Sequence, residues 1–276
     1  MAVHYKEIFN EIIAAEMGPK GYFRKGARFC RYVPETHMIQ TLYMQMGHSG
    51  RTFMFYLGTD HLCNPMPSYN GIITIQAEEM SYMLRRSFDE KRKLMLDTSP
   101  TYYLSGKEAA FSEENFTMSI YNNLSVMRED GIEKKILDIT TDEEYYQYVK
   151  EFMSWKRDPS DPEKTLSAQP AIIYICFKTG RMDQAIEAAN RLIQNIACEI
   201  DEHNVKYKRA LEQKDLVTAQ YLLELKKNAD YDHDALTLFL DRDYNEYEKL
   251  CQNRIAYNHG LLQAYFGKNN PHRTEE

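Results

Sequence analysis

Apolar residues first recur at helical spacing. Ile8, Phe9, Ile12 and Ile13 form one stripe within residues 4–17, the pattern of an amphipathic helix. Gly18-Pro19 and Gly21 follow it and predict its end. A short strand is expected over 29–33, closed by Pro34. In residues 37–46, Met38, Gln40, Leu42, Met44 and Met46 alternate with Ile39, Thr41, Tyr43 and Gln45. Gly47-His48-Ser49-Gly50 reads as a turn before the aromatic-rich run 52–57. Two β-type runs joined by a short Gly-containing loop predict a β-hairpin. Large side chains on both faces place one face against the first helix and the other against later helices. Residues 71–75 fit either a fourth strand or the opening of a helix.

The period lengthens from about residue 76. Met80, Met83, Leu84 and Phe88 suggest a helix, and another is expected over 113–128. A helix over 142–155 is clearer, because Thr141 and Glu144 make a capping-box pair. Tyr145, Tyr148, Val149, Phe152 and Met153 then share one face. Residues 157–168 contain Pro159 and Pro162, carry charges and lack apolar periodicity. They are the expected linker between an α+β domain at 1–156 and a helical domain at 169–276. Helices are predicted over 171–178, 183–200, 205–227 and 244–266, the last ended by Gly267 and Pro271. Gly180-Arg181-Met182 with Ala185 resembles one tetratricopeptide-type turn. With no second copy legible near a 34-residue period, the expectation is one αα-hairpin. The predicted fold is α+β: a helix on a three- to four-stranded antiparallel sheet, then a helical C-terminal half.

Composition narrows the function classes. The formal charge of −7 over 276 residues disfavours indiscriminate binding to nucleic acid or anionic membrane. Cys30, Cys63, Cys176, Cys198 and Cys251 are odd in number and never at CxxC spacing, which argues for free thiols rather than a disulfide framework or cysteine-rich zinc site. Residues 1–6 lack a signal-peptide core, and no window reaches the roughly 18–20 apolar residues of a membrane span. The expected compartment is the cytoplasm, with no membrane association. There are 21 Tyr and 14 Met but one Trp. Tyrosine combines an apolar body with a polar tip and suits interfaces.

The strongest local departure is the segment from Lys20 to Arg31, with five basic residues and no acid. Residues 1–58 hold seven basic and four acidic side chains, a local balance of +3. Lys20, Tyr22, Arg24, Lys25, Arg28 and Arg31 are the candidate anion- or partner-binding residues. Cations would meet phosphates while Tyr22, Phe23 and Phe29 stack. The competing account is a turn and an edge strand guarded by charge.

Asp230-Tyr231-Asp232-His233-Asp234 begins like a calcium loop, but Ala235 stands where that loop needs Gly. An acidic helix start capped by Asp232 or Asp234 is the simpler expectation. His61 and Cys63, with Cys30, His37 and His48, have no paired-ligand spacing for zinc. Glu199, Glu202 and His203 miss the Glu-x-x-His pairing of di-iron bundles. No nucleophile elbow, P-loop or dinucleotide fingerprint occurs, so no cofactor and no metal are expected.

Gly21-Tyr22-Phe23-Arg24-Lys25-Gly26, then Phe29-Cys30-Arg31 and the strands through Gln40 and 53–58, resemble uncharacterised bacterial domain-of-unknown-function families. The likeness covers about the first 60 residues, and the first 156 loosely. It implies a helix followed by a β-meander and carries no chemistry. Small acidic α+β domains of this kind include immunity-type proteins. The leading expectation is a non-enzymatic binding protein with a protein partner. The alternatives are nucleic-acid or anion binding through residues 20–31, and an enzyme whose site has no recognisable motif.

Overall fold

The computed structural model describes residues 5–46, 53–66, 68–69, 72–73, 78–79, 113–129, 131–150 and 169–267. They form an N-terminal helix, an antiparallel sheet and a helical C-terminal half, the α+β class predicted. The chain makes two compact units. One comprises Met1–Asp60, Ile75–Glu144 and Lys268–Glu276; the other comprises His61–Thr74 and Tyr145–Gly267. The expected turn at 47–50, the helix around 80–88, the helix end near 155 and the linker at 157–168 lie outside the described residues.

In the first unit, helix α1 (Tyr5–Met17) buries Phe9, Ile12, Ile13 and Met17. A 3-10 turn over Gly18–Lys20 ends it, and the Gly21 N–H donates to Gly18 O at 3.0 Å. Gly21 has φ +84°, a conformation in which a Cβ would be strained. Strands β1 (Phe23–Lys25), β2 (Arg28–Val33), β3 (Met38–Met46) and β4 (Phe53–His61) follow. In the second unit β5 (Ser68–Tyr69) pairs with β6 (Ile72–Ile73). β7 (Glu78–Glu79) belongs to the main sheet, whose order is β1-β2-β3-β4-β7. The strand at 29–33 is therefore the centre of a meander, with Arg24 opposite Phe29 on one side and Arg31 opposite Gln40 on the other. The apolar stripe of α1 meets this sheet through Phe9, whose ring lies 6.1 Å from Phe29 and 5.6 Å from Phe55.

Helix α2 (Glu113–Glu129) packs on α1, with Tyr5 edge-on to Phe116 at 4.8 Å. A π-helical turn spans Glu133–Leu137. Helix α3 (Asp142–Tyr148) opens with the predicted capping box. The Glu144 N–H donates to Thr141 Oγ1 at 3.2 Å, and the Glu144 carboxylate accepts the Thr141 N–H at 3.1 Å.

The second unit contains α4 (Pro170–Lys178), α5 (Met182–Glu212), α6 (Leu216–Leu240) and α7 (Tyr244–Phe266). Helix α4 buries every residue from Ala171 to Cys176, as a helix enclosed on all sides does. The expected break between 200 and 205 does not occur. Nothing there stops a helix, and α5 runs 31 residues, about 46 Å. The acidic run 230–234 is likewise interior to α6, because Asp232 is buried against a cationic partner on α7 rather than capping a helix start.

Three consecutive connections share one turn. In each, three hydrogen bonds close the preceding helix: Thr179 N–H to Ile175 O, Gly180 N–H to Phe177 O and Arg181 N–H to Cys176 O in the first. Gln213, Lys214 and Asp215 repeat the pattern, as do Asp241, Arg242 and Asp243. The central residues Gly180, Lys214 and Arg242 have φ of 76°, 58° and 66°. Five residues on, Ala185, Ala219 and Tyr247 are all buried. The expected single hairpin is thus one of three successive turns, and the second lies 34 residues after the first. Lys214 and Arg242 occupy the Gly position, which hides the repetition from the sequence. Among the described residues no helix is long and apolar enough to cross a membrane.

Candidate functional site

The basic segment divides by position. Tyr22 and Arg31 flank the buried Gln40, whose Oε1 accepts from Arg31 Nε at 2.6 Å and from Tyr22 OH at 3.2 Å. Gln40 Nε2 donates to Ile139 O at 2.6 Å. Tyr22 OH and Arg31 Nη2 both donate to Leu137 O, at 2.9 and 2.8 Å. These bonds satisfy the carbonyls released at the end of the π-helical turn, which would otherwise be costly inside the unit. Burial raises the Tyr22 phenol well above its ordinary range, and the nearby Arg31 only partly opposes it. Lys20 forms an ion pair with Glu133, and the Arg28 guanidinium lies 5.0 Å from the Tyr43 ring centroid. Arg24 and Lys25 are exposed on β1. Lys20, Tyr22, Arg28 and Arg31 thus have partners within the fold, and Arg24 and Lys25 are the more exposed of the six.

The second unit holds a different polar constellation. Asn64 Nδ2 donates to Tyr145 OH at 3.1 Å and to Gln169 Oε1 at 3.2 Å, and its Oδ1 accepts the Ala171 N–H at 3.0 Å. Asn258 Nδ2 donates to Leu62 O and Asn64 O at 2.7 and 2.8 Å. The segment 61–66 is therefore held by hydrogen bonds from α4 and α7. His61 Nδ1 accepts the Cys63 N–H at 3.0 Å, so the two-residue spacing of His61 and Cys63 is that of a local turn. Among the described residues no three His, Cys, Asp or Glu side chains converge as metal ligands would.

Beside this segment a cleft of about 360 Å³ runs between α6 and α7. Helix α6 lines it with Glu224, Lys227, Asn228 and Tyr231, at helical positions i, i+3, i+4 and i+7. Helix α7 adds Asn253, Arg254 and Tyr257, and Met66 completes it. Arg254 is only 5% exposed. Its Nη2 donates to Asp232 Oδ1 at 3.0 Å, and its guanidinium lies 4.4 Å from the Tyr231 ring centroid. Tyr231 is itself held by its OH, which donates to Leu250 O at 2.6 Å. Arg254 Nη1 is buried and has no hydrogen-bond partner among the described residues. An unmade bond on a buried group costs about 1–3 kcal/mol, and more on a charged one.

Burial pushes the Asp232 carboxyl up to about 6, and Arg254 opposes that rise. Arg254 also lines a smaller void with Cys63, Tyr247 and Cys251. There the Cys63 thiol is raised by its hydrogen bond with Cys251 and by burial. Glu224, the carboxylate on the cleft wall, is paired with Lys227 at 2.8 Å. The described lining thus has hydrogen-bond donors, two aromatic walls and a buried cation, an arrangement suited to binding.

Arg254, Asp232, Asn64 and Asn258 carry no sequence motif. Their importance comes from pairings across 22 residues for Arg254 with Asp232 and across 194 for Asn258 with Asn64. The one local hint was an acid placed on the helical face of apolar Ala235, Leu236 and Phe239. No protein-family model, curated protein or solved structure matches the chain.

Proposed function

We propose that this chain is a non-enzymatic binding protein whose partner is another protein. The observation that carries the reading is the end of the α5–α6 hairpin. Leu211, Leu216 and Val217 lie within three residues of the turn residue Lys214 and are 44, 70 and 60% exposed. Tyr221, one helical turn further along α6, is 39% exposed. Single exposed apolar residues are ordinary, but several grouped at one turn are characteristic of a contact surface. The hairpin behind them is packed by Ala210, Ala219 and Leu222, with Tyr207 and Leu225 beside them, so the apolar tip has a firm support.

The test is recovery of partners from the native host by the tagged full chain, analysed by mass spectrometry. A stoichiometric protein is expected, and it should be lost from the Leu216→Glu/Val217→Lys variant. The Arg24→Ala/Lys25→Ala variant should retain it. Recovery unaffected by the tip substitutions would overturn the reading. Nuclease-sensitive recovery that falls steeply with salt and disappears in the Arg24/Lys25 variant would instead favour nucleic-acid binding through the basic segment.

A further inference from the structure

We propose that the end of the α5–α6 hairpin binds an acidic segment of a partner protein, one that sets carboxylates beside apolar side chains. The proposal rests on the reading of that turn as a protein contact surface and adds the chemistry of what covers it.

Each exposed apolar residue there has a cation beside it. On α5, Arg209 stands one helical turn after Val205, and Lys208 one turn before Leu211. At the turn itself, Lys214 comes just before Leu216 and Val217. All of these side chains are exposed. Residues 205–217 hold four cations and two acids, on a chain whose formal charge is −7. Pairings within the fold account for part of that charge. Lys206 is met by Glu202 at 2.9 Å, and Asp215 caps α6 by accepting the Thr218 N–H at 3.0 Å. Lys208, Arg209 and Lys214 have no ion pair among the described residues and stand against Glu212 alone.

Covering an apolar side chain also covers the cation next to it, and a cation buried without a partner is costly. The cover that meets both is a segment with carboxylates beside apolar side chains. Glu212 discriminates between sources of negative charge. A lipid surface is anionic throughout and would repel it, whereas a peptide can set a neutral or basic side chain at that one place. The hairpin is packed by Ala210, Ala219 and Leu222, so the exposed groups can be replaced without opening it.

Panning a display library of random peptides on the full chain tests the idea. The peptides retained are expected to be net negative, with Leu, Ile, Val or Phe beside Asp or Glu. Synthesised and followed by fluorescence anisotropy, they should bind the Lys208→Gln/Arg209→Gln/Lys214→Asn variant at least about tenfold more weakly; asparagine suits the left-handed site. Raising NaCl from about 50 to about 500 mM should weaken binding to the unaltered chain in the same direction. Leu216→Glu/Val217→Lys should abolish it. All five positions are exposed, so both variants should keep the melting temperature of the unaltered chain.

No enrichment, enrichment of neutral or basic peptides, or binding indifferent to the cation variant would overturn the proposal. So would sedimentation of the chain with vesicles of equal parts phosphatidylserine and phosphatidylcholine, if the cation variant abolished it, because lipid would then be the anionic partner. A host protein captured through Leu216 and Val217 but held equally well by the cation variant would leave the contact surface in place and remove only the acidic partner.

Discussion

At the scale of single residues, the Asp232–Arg254 pair exerts the most leverage. Both side chains are nine-tenths buried or nearly so, and removing one partner strands the other's charge in a poorly solvated site. Asp232→Ala should therefore lower stability by about 3–5 kcal/mol in urea unfolding at pH 7. The pair also has a pH signature. Folded Asp232 keeps its proton up to about 6, whereas an unfolded aspartate releases it near about 4. Between these values the folded chain binds the additional proton. Stability from this group is thus greatest below about pH 4 and is lost as pH rises toward 6. Asp232→Asn should flatten that slope in denaturant titrations from pH 4 to 7. None of this was legible along the chain. Asp230, Asp232 and Asp234 look equivalent as an acidic run. Asp230 forms a part-buried i,i+4 pair with Lys226 at 2.6 Å, while Asp232 is committed to the interior by an arginine 22 positions away.

At the scale of elements, local chemistry was readable wherever it acted locally. The apolar stripe of α1, the β3 alternation and the Thr141–Glu144 box each specify their element from adjacent residues. Thr141→Ala should cost about 1 kcal/mol in thermal or urea unfolding by removing the acceptor for the Glu144 N–H. Burying the box rather than exposing it would have changed that figure; the box is exposed. The turn between α5 and α6 was not readable, because Lys214 occupies a left-handed site without being glycine. Such a conformation costs a residue with a Cβ about 1 kcal/mol. Lys214→Gly and Arg242→Gly should each recover part of it and raise the denaturation midpoint, provided the flexibility that glycine adds to the unfolded chain is the smaller effect. A lowered midpoint in both would show that the added freedom of the unfolded chain, or contacts of these long side chains, outweighs the backbone term. Tyr247 illustrates how the repeated turn was adapted. Where the first two turns place Ala185 and Ala219, the third places a ring 4.9 Å from Phe239 and 5.7 Å from Phe177, and an aromatic cluster replaces the close approach of small residues.

At the scale of the whole molecule, the α+β class follows from the change of apolar period, but the candidate sites do not. The basic segment drew attention because its charges are consecutive in sequence, yet Tyr22 and Arg31 serve buried carbonyls. The cleft drew none, because Glu224, Tyr231 and Tyr257 are ordinary helix-surface residues until two helices bring them together. The two units are also interleaved along the chain: His61–Thr74 is assigned with Tyr145–Gly267, while Ile75–Glu144 is assigned with the residues before it. Asn64 therefore leaves the ribosome roughly a hundred residues before Gln169 and Ala171, the groups it will bond, and still longer before Asn258. During synthesis this short piece must wait with its polar atoms in water until the last helices emerge. Assembly of the helical unit is thus a late event in the life of the nascent chain, and a fragment cut to contain the C-terminal helices alone would be born without the segment 61–66 that they hydrogen-bond.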